Sequence, residues 1–84
     1  MMQIARFSNG GYVVHKIDCP SSDSRCSAWF DADGNILDAE RIDTRGRSMP
    51  VKRGGPLWDT CRMYGRVARH VKPDSKDSRF VVIA

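Results

Sequence analysis

Residues 56–71 read PLWDTCRMYGRVARHV, and the architecture turns on this segment. Leu57, Cys61, Tyr64, Ala68 and Val71 recur at i, i+4, i+7, i+11 and i+14, which lays one apolar stripe along an α-helix. Pro56 suits the first helical position, and Asp59 in the first turn meets the positive end of the helix dipole. Arg62, Arg66 and Arg69 fall nearly opposite the stripe at ~100° per residue. Gly65 costs up to ~1 kcal/mol relative to Ala inside a helix, so its presence points to close packing there. Pro73 disfavours helical geometry at Lys72 and ends the segment.

Upstream of the helix the pattern changes from helical to alternating. Gln3–Ser8 and Tyr12–Ile17 flank Asn9-Gly10-Gly11, which predicts a first β-hairpin. A polar loop covers Asp18–Arg25. Ser27–Ala32 and Ile36–Ile42 flank Asp33-Gly34-Asn35, a second hairpin in which Ala28, Phe30 and Ala32 share one face and Trp29 takes the other. Thr44–Gly55 (TRGRSMPVKRGG) is rich in Gly and cations and reads as a mobile loop, with a short extended piece around Met49–Lys52. Downstream, Arg79–Ala84 (RFVVIA) is apolar on both faces and reads as a central or well-covered strand, docked against the first hairpin. The expectation is a single α+β domain over residues 1–84. It would be a small two-layer unit, with an antiparallel sheet of four or five strands packed on one helix at about 56–71.

The charge is uneven along this framework. The chain has 84 residues and a formal charge of +4, with no apolar run long enough for a membrane span and no signal-peptide pattern at its start. Residues 1–40 carry three Lys+Arg against six Asp+Glu, a balance of −3, whereas residues 41–84 carry eleven against four, a balance of +7. Between Thr44 and Lys72, Arg45, Arg47, Lys52, Arg53, Arg62, Arg66, Arg69 and Lys72 face one acid, Asp59. Such asymmetry is a footprint of polyanion binding, although a solvated face that keeps the protein soluble has the same composition.

Other chemistry is poorly supported. His15, Cys19 and Cys26 are spaced H-x3-C-x6-C, with Cys61 and His70 on the helix, and this departs from the close ligand pairs of structural zinc sites. Three cysteines without a secretion signal read as reduced thiols. Asp31-Ala32-Asp33-Gly34-Asn35 resembles the opening of a calcium loop, but Ile42 stands where the twelfth-position Glu is needed, so the segment is a turn. Cys19 has Asp18 beside it and His15 four residues earlier, yet no pocket or activating cation is evident, and no other nucleophile–base arrangement or phosphate loop occurs. No enzyme, cofactor or metal is expected.

The basic region carries the functional expectation. A cytoplasmic module, monomeric or a small homo-oligomer, would bind DNA or RNA non-specifically through Arg45, Arg47, Lys52, Arg53, Trp58, Arg62, Arg66, Arg69 and Lys72. The arginines would meet phosphate, and Trp58, at the border of the cationic face, would stack on a base unless it is core. The alternative is a protein-interaction module of the phage or mobile-element kind, which binds and inhibits or modulates a larger host complex, for example a nucleic-acid-handling or defence complex, through the same Arg and Trp anchors.

Overall fold

The computed structural model describes residues 1–20 and 22–84; the loop expected over Asp18–Arg25 includes Ser21, which lies outside the described residues. The elements are β1 (Met2–Arg6), β2 (Tyr12–Asp18), β3 (Arg25–Phe30), β4 (Ile36–Ile42), β5 (Ser48–Pro50), α1 (Pro56–Ala68) and β6 (Phe80–Val82). One sheet in the order β5-β4-β3-β2-β1-β6 packs one face against α1. This is the expected two-layer α+β domain, with six strands rather than four or five.

The two extra features have identifiable causes. β5 arises inside the segment expected to be a mobile loop: Asp43 gathers the backbone N–H groups of Arg45 and Arg47 and closes a turn that pairs Ser48–Pro50 with β4. β6 runs parallel to β1, so the sheet is mixed rather than antiparallel. It is also an edge strand, not a central one. Phe80 is buried on the α1 side while Val81, on the far side, is exposed. A doubly apolar run therefore marked a strand covered on one face only.

Two irregularities decide which side chains enter the core. Tyr12 and Val14 face α1, and the ladder to β3 then slips between Val14 and Ile17, where Lys16 adopts a left-handed φ of 61°. The slip turns Ile17 inward instead of Lys16. A second slip, opposite Trp29 and Phe30, leaves Leu37 exposed while Ala39 is buried. The core is thus Ile4, Tyr12, Val14, Ile17, Cys26, Ala28, Phe30 and Ala39 from the sheet against Trp58, Cys61 and Ala68 from the helix. At Gly34 in the β3–β4 turn, φ is +85°, a region where side-chain-bearing residues are strained.

Gly65 is the point of closest helix–sheet approach. A Cβ there would sit 2.0 Å from Phe30 Cζ. The Phe30 ring stacks on Tyr12 with centroids 5.0 Å apart, and the Tyr12 hydroxyl donates to the Gly65 carbonyl at 2.7 Å. The helix ends three residues before the expected Val71. Its last turns tighten, with His70 N–H on Val67 O and Val71 N–H on Ala68 O, and the Arg6 guanidinium donates to the carbonyls of Ala68 and Val71. Val71 is buried all the same.

Three turns depend on aspartates, and the acid stability of the fold should show it. The Asn35 N–H holds the Asp31 carboxyl below the ordinary value of 3.8, the Arg47 N–H does so for Asp43, and the Arg79 guanidinium for Asp77. Folded-state values below the unfolded ones mean that this stabilisation is present above 3.8 and fades as pH falls through the folded values. Thermal melts between about pH 5 and about pH 2 should therefore show a declining midpoint. A flat profile over that range would refute the role given to these turns.

Candidate nucleic-acid interface

The expected binding residues separate into three groups. Arg45 and Arg47 lie on the β4–β5 turn, where the Arg47 Nε is 3.0 Å from Asp43 Oδ2 and Arg45 is exposed. Lys52 and Arg53 lie on the connection into α1. Arg53 is exposed but engaged by its own chain: its guanidinium sits 4.7 Å from the Trp58 ring centroid and donates to Leu37 O at 2.9 Å. Trp58 itself is 8% exposed and belongs to the core, so it is withdrawn from the surface on which a base would stack. Its neighbours Leu57 and Cys61 on the apolar side of the helix already favoured that placement.

The third group is the outer face of α1. Cys61, Gly65 and Ala68 are buried against the sheet, which leaves Arg62, Arg66 and Arg69 on the solvent side and exposed Lys72 just beyond the helix. Arg62 pairs with Asp59 at 3.1 Å, one turn earlier. Among the described residues Arg66, Arg69 and Lys72 form no ion pair. The Arg69 stem lies over the β3–β4 turn, where it would be 3.0 Å from a Cβ at Gly34, and a shallow cavity of about 320 Å³ opens between that turn and Arg66, Arg69 and His70. Arg69 and Arg6 are near enough to oppose, though not to cancel, the burial that pushes the Tyr12 phenol up.

Arg45 and Arg47 do not share a surface with Arg69. Arg45 and Arg47 lie beyond the end of β4, whereas Arg69 lies beside the turn that begins it. The seven residues of β4, at ~3.3 Å each, separate those turns by about 20 Å. α1 carries Arg62 and Arg66, with Arg69 at its C-cap and Asp59 as its only acid, while the sheet face turned away from it carries Asp38 and Glu40 of β4 as well as Lys16 and Arg25.

That far face also carries polar and aromatic groups absent from the expected set. The His15 Nδ1 and Ser27 Oγ are hydrogen-bonded at 2.7 Å, and Trp29 stands edge-on to His15 with centroids 6.5 Å apart. Their grouping follows from strand alternation together with the β2–β3 register, and only the alternation is visible in the sequence. Among the described residues no group of three or more His, Cys, Asp or Glu is arranged to hold a metal ion. No helix there is long and apolar enough to cross a membrane. The chain matches no protein-family model, no curated protein and no solved structure.

Proposed function

We propose that this domain binds nucleic acid through the outer face of α1, with Arg62, Arg66, Arg69 and Lys72 against the phosphate backbone. One observation carries the reading: Arg66 and Arg69 are exposed beside one cavity, Lys72 is exposed just beyond the helix, and no acid pairs with any of the three among the described residues. An Arg fork left free in this way suits phosphate oxygens, and a helix can lie along a groove or across a backbone. Nothing in the row is arranged to read base edges, so the binding is non-specific.

A salt titration tests this directly. Anisotropy of labelled random-sequence duplex and single strand should show binding at low salt that weakens with a log–log slope of about −3.5 on duplex DNA, as four neutralised phosphates require. Changing Arg66 and Arg69 together to Ala should reduce the slope by about two while leaving the thermal midpoint within a few degrees of the parent. Undetectable binding at low salt, or a slope unmoved by the double substitution, would sink the proposal.

A second reading is favoured by the opposite face. Phe7 and Leu37 are exposed beside half-buried Trp29 around a shallow cavity of about 360 Å³, an apolar and aromatic patch of the kind that anchors protein interfaces. In this reading the domain docks on a larger nucleic-acid-handling complex and modulates it. Recovery of one stoichiometric protein partner after nuclease treatment, lost on Trp29→Ala, would favour docking over nucleic-acid binding.

A further inference from the structure

The three cysteines, distant in sequence, are all buried where the sheet meets α1. Cys19 Sγ lies 3.1 Å from Cys26 Sγ, and Cys61 is buried in the same core cluster, near enough for the Cys26 and Cys61 thiols to perturb one another. The slip at Lys16 is responsible. By turning Ile17 inward it also sends Cys19, two residues on, to the side of the sheet where Cys26 points. The Cys19 N–H bonds to Ser24 O, which holds the chain just before Cys26 against Cys19.

The thiols differ in access. Cys26 and Cys61 are 0% exposed and Cys19 is 7% exposed, at the floor of a groove of about 350 Å³ that Arg41, Leu57 and Thr60 also line. Desolvation pushes the Cys26 thiol far up and the Cys61 thiol up to about 11, so neither meets an oxidant first. Cys19, by contrast, lines that groove together with Arg41 and the start of α1.

We propose that Cys19 and Cys26 are a dithiol site that small disulfides oxidise reversibly, with Cys19 as the entry thiol and Cys26 as the resolving one. With oxidised glutathione, the Cys19 thiolate attacks one glutathione sulfur, forms a mixed disulfide and releases one glutathione thiolate. The Cys26 thiol, giving up its proton as it reacts, then attacks the Cys19 sulfur and breaks the mixed disulfide. The second glutathione leaves as a thiolate. The two protons lost by the cysteines end on the two glutathiones, so one disulfide is reduced for each one formed. Cys61 stays a thiol, because the mixed disulfide forms at Cys19 and Cys26 is the sulfur beside it. The product closes the β2–β3 loop against the base of α1 and restricts the unfolded chain.

Peptide mapping without reduction tests this on the full chain, equilibrated with oxidised glutathione and then alkylated. Trypsin cuts after Lys16, Arg25 and Arg41, which places Cys19 and Cys26 on different peptides. The expected map joins those two peptides and finds Cys61 alkylated once the protein is unfolded. The thermal midpoint should rise by about 10 °C, and reduction should reverse the gain. Cys61→Ala should preserve the crosslink and Cys19→Ala should abolish it. A map with Cys19 and Cys26 both alkylated, a Cys26–Cys61 link, or a glutathione adduct on Cys19 as the end product would overturn the assignment. The parent protein's map separates these outcomes even if a variant fails to fold.

Discussion

Replacing Gly65 with Ala should destabilise this domain by about 3 kcal/mol, although Ala is the better helix former by ~1 kcal/mol. The added methyl would lie 2.0 and 2.1 Å from two carbons of the Phe30 ring, well inside contact distance. Phe30 has little room to retreat, since its other side stacks on Tyr12 and Tyr12 is tied by its hydroxyl to the Gly65 carbonyl itself. Moving the helix outward would break that hydrogen bond and loosen the seam between α1 and β3. The thermal midpoint should fall by roughly 12–24 °C. Phe30→Leu removes the obstructing ring edge at the cost of a cavity, so Phe30→Leu combined with Gly65→Ala should be less destabilised than the two single effects added together. A Gly65→Ala midpoint close to that of the parent would show that the helix does not approach the sheet as described.

The second large effect belongs to Arg6. Its guanidinium donates to the carbonyls of Ala68 and Val71 and lies 5.6 Å from the Tyr12 ring centroid, so one β1 side chain caps α1 and covers the aromatic stack. Charge-assisted bonds to helix-end carbonyls gain from the negative end of the helix dipole. Arg6→Met keeps the apolar stem and removes the donors, and it should lower stability by about 2–3 kcal/mol, or roughly 10–20 °C in midpoint. Arg6→Lys keeps the charge but loses the forked geometry and should fall between the two. Proton exchange adds a local test, with the amides of the last turn of α1 losing protection first in Arg6→Met. If Arg6→Met melts like the parent, the cap contributes nothing and the helix end is held by Val71 alone.

Local chemistry was legible in the sequence and register was not. The helix, both hairpins and the tight spot at Gly65 follow from periodicity, turn residues and propensity, all properties of short windows. Ser48–Pro50 showed only as a short extended piece around Met49–Lys52, and its pairing with β4 did not, because a three-residue edge strand has too little alternation to fix a partner. Nothing about YVVHKI marks Lys16 as the slipped residue, and so the convergence of Cys19 on Cys26 could not be anticipated. The candidate site was legible as a charge pattern. Its partition was not, because Arg53 folds over Trp58, Arg47 turns to Asp43, and a strand's length separates Arg45 and Arg47 from Arg69. Arg6 counted only as a positive charge until the helix end it serves was known.

The pairing of β6 with β1 has a consequence for how the chain is made. Residues 1–50 form a meander in which each strand lies beside the next, so its contacts can form as the polypeptide leaves the ribosome. The outer side of β1 is different. It waits for Phe80–Val82 and for the bonds that Ile83 and Ala84 add to Ile4 and Arg6, all of them translated well after α1. Throughout that interval the nascent protein presents a strand edge with open backbone groups, a form prone to strand exchange between neighbouring copies. Yield during synthesis should therefore be governed less by the stability of the finished fold than by how quickly β6 reaches β1.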